Sequence, residues 1–153
     1  MHKRARSWSS WLGVAVLLSV VAAGAFAFAS AAGGAADVES LKNDVSELKS
    51  QAGVGRLLAE QALAGNVTDT FVRAQSEQIR KGAEDTRAKL DPKEFEQSLG
   101  TQVLKASDAA LRLEGTLRAL REGGAARGSA ESAKRSFEAL YAELSEMEDG
   151  LKQ

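Results

Sequence analysis

The sequence predicts an all-α protein: an up-down-up-down four-helix bundle preceded by an N-terminal hydrophobic signal or anchor segment. Three observations carry this. Ala, Leu, Glu, Lys, Arg and Gln dominate residues 37–153, and all are good helix formers. Proline occurs once, at Pro92, and β-branched residues are sparse after position 72. Apolar residues recur at alternating steps of three and four, which lays a continuous stripe along a helix for a neighbour to cover.

The first element, residues 1–36, sets the compartment. His2-Lys3-Arg4-Ala5-Arg6 is basic, and no charged side chain follows until Asp37. A charge costs roughly 2.5–3.5 kcal/mol at the centre of an inserting helix, so a charge-free run is what the insertion machinery accepts, and basic residues ahead of it stay inside. Leu12 to Val21 has the length of a signal-peptide core, and Ala27-Phe28-Ala29 and Ala29-Ser30-Ala31 each offer a small-x-small cleavage site. Residues 11–32 also suffice to span a bilayer as a single transmembrane helix, with Trp8 and Trp11 at the interface. Both readings put residues 37–153 outside the cytoplasm, periplasmic or otherwise extracytoplasmic, either secreted or anchored. With no cysteine, a cysteine-linked lipoprotein anchor and disulfides are both ruled out.

Asp37 is the expected N-cap of the first helix, whose stripe is Val38, Leu41, Val45, Leu48 and Ala52. Gly53-Val54-Gly55 interrupts it, and since each glycine costs about 1 kcal/mol inside a helix, a kink or break is expected at 53–55. Leu57, Leu58, Ala62 and Leu63 resume the pattern, and Gly65-Asn66 ends it. A true break would make residues 37–52 a coiled-coil stalk below a three-helix head, the alternative architecture.

Thr68 should cap a second helix reaching Leu90. Its apolar side is thin: Phe71, Val72, Ile79, Ala83 and Leu90, filled in by Gln75, Gly82 and Thr86. Its other side is a ladder of alternating charge, Arg73, Glu77, Arg80, Glu84 and Arg87. Such a ladder is either a solvated face held by its own ion pairs, at roughly 0.2–0.5 kcal/mol per pair, or a stripe for a partner. These five residues are the candidate binding set.

Asp91-Pro92-Lys93-Glu94 has the form of a third helix start: N-cap acid, proline at the first helical position and a glutamate in capping-box position, with Leu90 and Phe95 as a staple. Phe95, Leu99, Val103, Ala106, Ala110, Leu113, Leu117 and Leu120 then form a stripe that Gly123-Gly124 ends. Ser129 is the expected cap of the last helix, which carries Ala130, Ala133, Phe137, Leu140, Leu144, Met147 and Leu151.

Chemistry is scarce. The helix number and order resemble exported haem carriers of the cytochrome c-prime kind, but the chain has no Cys-x-x-Cys-His, and its only histidine is His2. Without histidine or cysteine after residue 36, no hydrolase triad, zinc site or Glu-x-x-His di-metal centre can be assembled. Of the 20 basic residues, Lys3, Arg4 and Arg6 precede residue 37. The remaining 17 face all 21 acids, a net charge of −4 with both signs interspersed. That balance argues against nucleic acid, whose binders present a clustered basic face. The sequence therefore predicts no catalysis, no cofactor and no metal. It points to a cell-envelope interaction or assembly subunit whose partner is another envelope protein or a second copy. The membrane becomes a further partner if residues 11–32 stay attached. The alternative is a sensory or small-ligand-binding bundle, with Gly82, Gly100 and Gly115 making room between helices.

Overall fold

The computed structural model describes residues 37–152, which form four α-helices with no strand among them. The signal or anchor segment expected over residues 1–36 lies outside the described residues. Among those described, no helix is long and apolar enough to cross a membrane. The helices are α1 (Val38–Leu63), α2 (Asp69–Ala88), α3 (Gly100–Gly123) and α4 (Arg127–Gly150), with a short 3₁₀ turn at Gln97–Leu99 ahead of α3.

α1 begins where its sequence says, with Asp37 accepting from the Ser40 N–H at 3.0 Å. It does not break at 53–55. Leu41, Val45, Leu48, Ala52, Gly55, Ala59 and Ala62 are all buried, so the three-four alternation passes straight through the glycines. Gly55 is itself a seam position, and a Cβ there would lie 2.8 Å from Cε1 and Cζ of Phe137. Gly53 lies beside Tyr141, whose ring a Cβ would meet at 3.4 Å. The two glycines are thus seats for the aromatics of α4, and the stalk-and-head alternative falls with the break. At its far end α1 closes in a Schellman motif: the Gly65 N–H donates to Ala62 (3.1 Å), the Asn66 N–H to Gln61 (3.0 Å), and Gly65 has φ +69°.

The seam repeats on every helix. α2 buries Val72, Ser76, Ile79, Ala83 and Thr86, and its cap is Thr68, which accepts from the Phe71 N–H. On α3, Val103, Ala106, Ala110, Leu113, Leu117 and Leu120 are buried, preceded by Phe95 and Leu99 in the approach. On α4, Ala130, Ala133, Phe137, Leu140 and Leu144 are buried, while Met147 and Leu151 pack partly exposed against the same core. A sustained seven-residue repeat on four helices is the pattern of left-handed bundle packing.

Cross-helix ion pairs fix the topology. Lys49 pairs with Glu148, and Glu60 with Lys134, so α1 and α4 run antiparallel, in the most extensive contact of the bundle. Lys89 meets Glu47 between α2 and α1, Arg121 meets Glu77 between α3 and α2, and Arg112 meets Glu143 between α3 and α4. Each helix is thus tied to its neighbours in an all-α bundle of four helices.

Two expected helix starts are wrong. Asp91 does accept from the Lys93 N–H at 2.9 Å, but as the start of a turn over residues 92–94; α3 begins only at Gly100. The 3₁₀ turn leads into it instead, with the Gly100 N–H donating to the Gln97 carbonyl. Ser129 lies inside α4, with its hydroxyl reaching back to the Ala119 carbonyl at 3.4 Å, and the N-cap Ala126 has no side-chain cap bond.

Candidate interaction surface

The charge ladder of α2 is fully engaged. Arg80 grips Glu77 with two parallel bonds, Nε to Oε2 at 3.1 Å and Nη2 to Oε1 at 2.9 Å, and its Nη1 reaches Glu84 at 3.0 Å. Arg121 of α3 donates to the same Glu77 Oε2 at 3.0 Å. These bonds, with Arg80's the dominant one, hold the Glu77 carboxyl down to about 2, and Arg80 is raised in turn. Bidentate, charge-assisted contacts of this kind are the strong ones. Arg87 bonds Glu114, a buried carboxylate of α3, at 2.6 Å. Arg73 bonds Asp69 at 2.6 Å. The structure thus ties the five candidate residues to α2 itself and to α3. A partner on this stripe would have to compete with those bonds.

Asp69 does more than its sequence position suggests. While one oxygen holds Arg73, the other accepts from the Ala125 N–H at 3.0 Å, pinning the α3–α4 loop to the start of α2. Gly124 (φ +58°, ψ −139°) admits it, since a Cβ there would stand 1.7 Å from Asp69 Oδ1. At the opposite end of α4, the acids that look misplaced by sequence are matched. Glu148 pairs with Lys49 of α1, and Lys152 bonds Asp149 at 2.7 Å; both carboxyls are held below their ordinary range by these lysines.

A different surface is left uncommitted. Between the outer sides of α3 and α4 runs a groove of about 610 Å³, walled by Gly115, Thr116 and Ala119 on one side and Ser129, Ser132, Ala133, Ser136 and Ala139 on the other. Three of its four hydroxyls are turned onto backbone: Thr116 donates to the Arg112 carbonyl at 2.9 Å, Ser136 to that of Ser132 at 3.2 Å and Ser129 to that of Ala119 at 3.4 Å. The walls are therefore mostly carbon, with the Ser132 hydroxyl and Arg112 as their polar points. Arg112 crosses the groove, bonding Asp108 at 2.9 Å and Glu143 at 2.6 Å. Beside it, on the side of α3 away from the core, Leu104 and Leu111 stand in solvent at 61% and 52% exposure. Of the other exposed large apolar residues described, Val38 starts α1 and Tyr141 packs under Arg56.

Sequence reasoning passed over this face because the buried stripe of α3 accounts for its helix without it. The signal was there: Leu104 and Leu111 sit seven apart, off the core stripe and on one side. Gly82 does give the close approach its type suggests, to Gln51 of α1, whereas a Cβ on Gly100 or Gly115 would meet open space. Among the described residues no group of three or more His, Cys, Asp or Glu is placed to hold a metal ion. No protein-family model, no curated protein and no solved structure matches the chain.

Proposed function

We propose that the chain is a non-catalytic helical protein of the cell envelope, exported or held by one N-terminal helix, that works as an interaction or assembly subunit. The observation that carries this reading is the outer face of α3. Leucine is costly to leave in water, about 1.5–3 kcal/mol for a whole side chain, and two of them stand there beside a mostly apolar groove. The compartment rests on the basic head and the charge-free run that follows it. The non-catalytic character rests on the lack of histidine and cysteine after residue 36.

A photo-crosslinking residue in place of Leu111, in the full chain in its native compartment, tests the interaction. A covalent protein adduct is expected from position 111 and none from Asp85 on the exposed side of α2; equal, negligible yields at both would end the reading. N-terminal sequencing of the recovered protein tests the address. A start at Ser30 or Ala32 marks export, and an intact Met1 in a wash-resistant membrane fraction marks the anchor. An intact Met1 in the soluble cytoplasmic fraction would contradict both.

The groove also favours a second reading, a ligand-binding bundle, since about 610 Å³ is within the size range of small-molecule sites. A ligand present at about 100 times its Kd adds roughly 2.7 kcal/mol of stability. A thermal-shift screen with metabolites therefore separates the two, and one compound with a large upward shift would favour the second.

A further inference from the structure

We infer that the occupant of the α3 outer face is a second copy of this chain, docked with its own α3 antiparallel to the first. The inference deepens the interaction-subunit reading and rests on it.

The argument is one of self-complementarity. A two-fold interface needs each residue to find its partner on an identical surface. On this face the order from one end of α3 to the other is Leu104, Lys105, Asp108, Leu111, Gly115, Arg118, Ala119 and Glu122. Turn a second helix end for end so that Leu111 of one copy lies over Gly115 of the other. Asp108 then falls opposite Arg118, and Lys105 lands level with Arg121, one residue short of Glu122 and within side-chain reach of it. Leu104 comes down at the level of Glu122, one turn from Ala119. The symmetry makes every one of these contacts twice.

The fit is chemical as well as positional. Gly115 has open space where a Cβ would be, so it is a hole on the helix surface that a leucine can fill. Leu111 meets the smallest residue of the face, Asp108 meets Arg118 directly, and Lys105 can reach Glu122 one residue away. Lys105, Arg118 and Glu122 have no ion-pair partner among the described residues, so pairing with a second copy breaks no bond they already make. Asp108 is shared only with the exposed Arg112 of its own helix. In the parallel orientation the charges would meet like with like, which is destabilising.

The cysteine-free sequence makes the test clean. Full-length chains carrying Leu111→Cys are co-expressed with differently tagged chains carrying Gly115→Cys and oxidised in their native compartment. A disulfide-linked pair containing both tags is expected, and a control pair with Asp85→Cys should give none. Separately, Asp108→Arg or Arg118→Asp alone should cut the yield of that pair about tenfold, and the two reversals in one chain should restore it. All these positions are exposed, and circular dichroism checks that the variants fold. No mixed-tag pair, or a yield indifferent to the charge reversals, overturns the self-pairing. If position 111 instead crosslinks only to a protein of different mass, the self-pairing is wrong and the interaction reading stands. If it crosslinks to nothing, both are wrong.

Discussion

Gly55 of α1 is the seat of Phe137 of α4, the largest fully buried side chain in the core, with 2.8 Å between the ring and the place a Cβ would take. Glycine costs the helix about 1 kcal/mol there, and burying a phenylalanine returns about 1.5–3 kcal/mol. Gly55→Ala should therefore destabilise the domain by about 1–3 kcal/mol through overpacking, despite the better helix propensity. Gly53→Ala, whose methyl would make ordinary contact with Tyr141, should be neutral or stabilising by up to about 1 kcal/mol. Thermal melts of the two variants should move apart; a shared gain would mean that Phe137 does not rely on Gly55.

The α3–α4 loop gives a second pair of variants. Gly124→Ala must strain a backbone at φ +58° and displace the Asp69 carboxylate, so a loss of more than about 2 kcal/mol is expected. Asp69→Ala should lower the melting temperature and release the Ala125 amide to fast hydrogen exchange, while Asp69→Asn, which keeps an acceptor oxygen, should fall between. Unchanged exchange at Ala125 in Asp69→Ala would show that the loop is held otherwise.

Stability should pass through a maximum in mildly acidic solution. Burial raises Asp44 to about 6, with Lys89 pulling it back down and Glu47 adding to the rise. Its folded form holds the proton more tightly than the unfolded chain does, so its contribution is complete below about pH 4 and is lost as pH rises through 6. Glu77 behaves oppositely. Lowered to about 2 by Arg80 and Arg121, it contributes above its ordinary value of 4.5 and loses that contribution as pH falls toward 2. Melting temperatures from pH 2 to 8 should rise and then decline. Asp44→Asn should flatten the decline and raise the melting temperature at pH 7.

Leu140, 3% exposed, should cost about 2–5 kcal/mol when truncated to alanine, against almost nothing for Glu138→Ala on the wet side of the same helix. Equal small effects would show α4 unpacked. A loss seen only at low protein concentration would place the α4 stripe between chains.

The seams were the legible part. On α3 and α4 every stripe position from Val103 to Leu120 and from Ala130 to Leu144 is buried, because the core of a bundle is set by spacing and spacing is local. Glycines were misjudged because their cost is local and their use is not: nothing near Gly55 in sequence announces a ring from a residue 82 positions later. Ser76 was missed for the converse reason, a polar residue at a seam position, wholly buried with no hydrogen-bond partner among the described residues. The start of α3 failed because Asp91-Pro92 is equally good turn chemistry. The chain needs residues 89–99 to cross the end of the bundle, which buries Leu90, Phe95 and Leu99 as it goes. The charge ladder was visible as a ladder, but its bonds to Glu114 and Arg121 depend on which helix lies alongside.

Because α1 and α4 are antiparallel neighbours, the described chain enters and leaves at the same end of the bundle. Tension between Asp37 and Lys152 would therefore peel the two helices apart from that end, one turn after another, with the Lys49–Glu148 pair among the first to open. Such a domain yields gradually to a pull on its ends, whereas shearing two long helices past each other breaks every contact at once. The same closeness lets a short linker join the two ends and the chain be reopened at the exposed Gly65–Asn66 turn. The circular permutant should fold, with the same four seams in a new order.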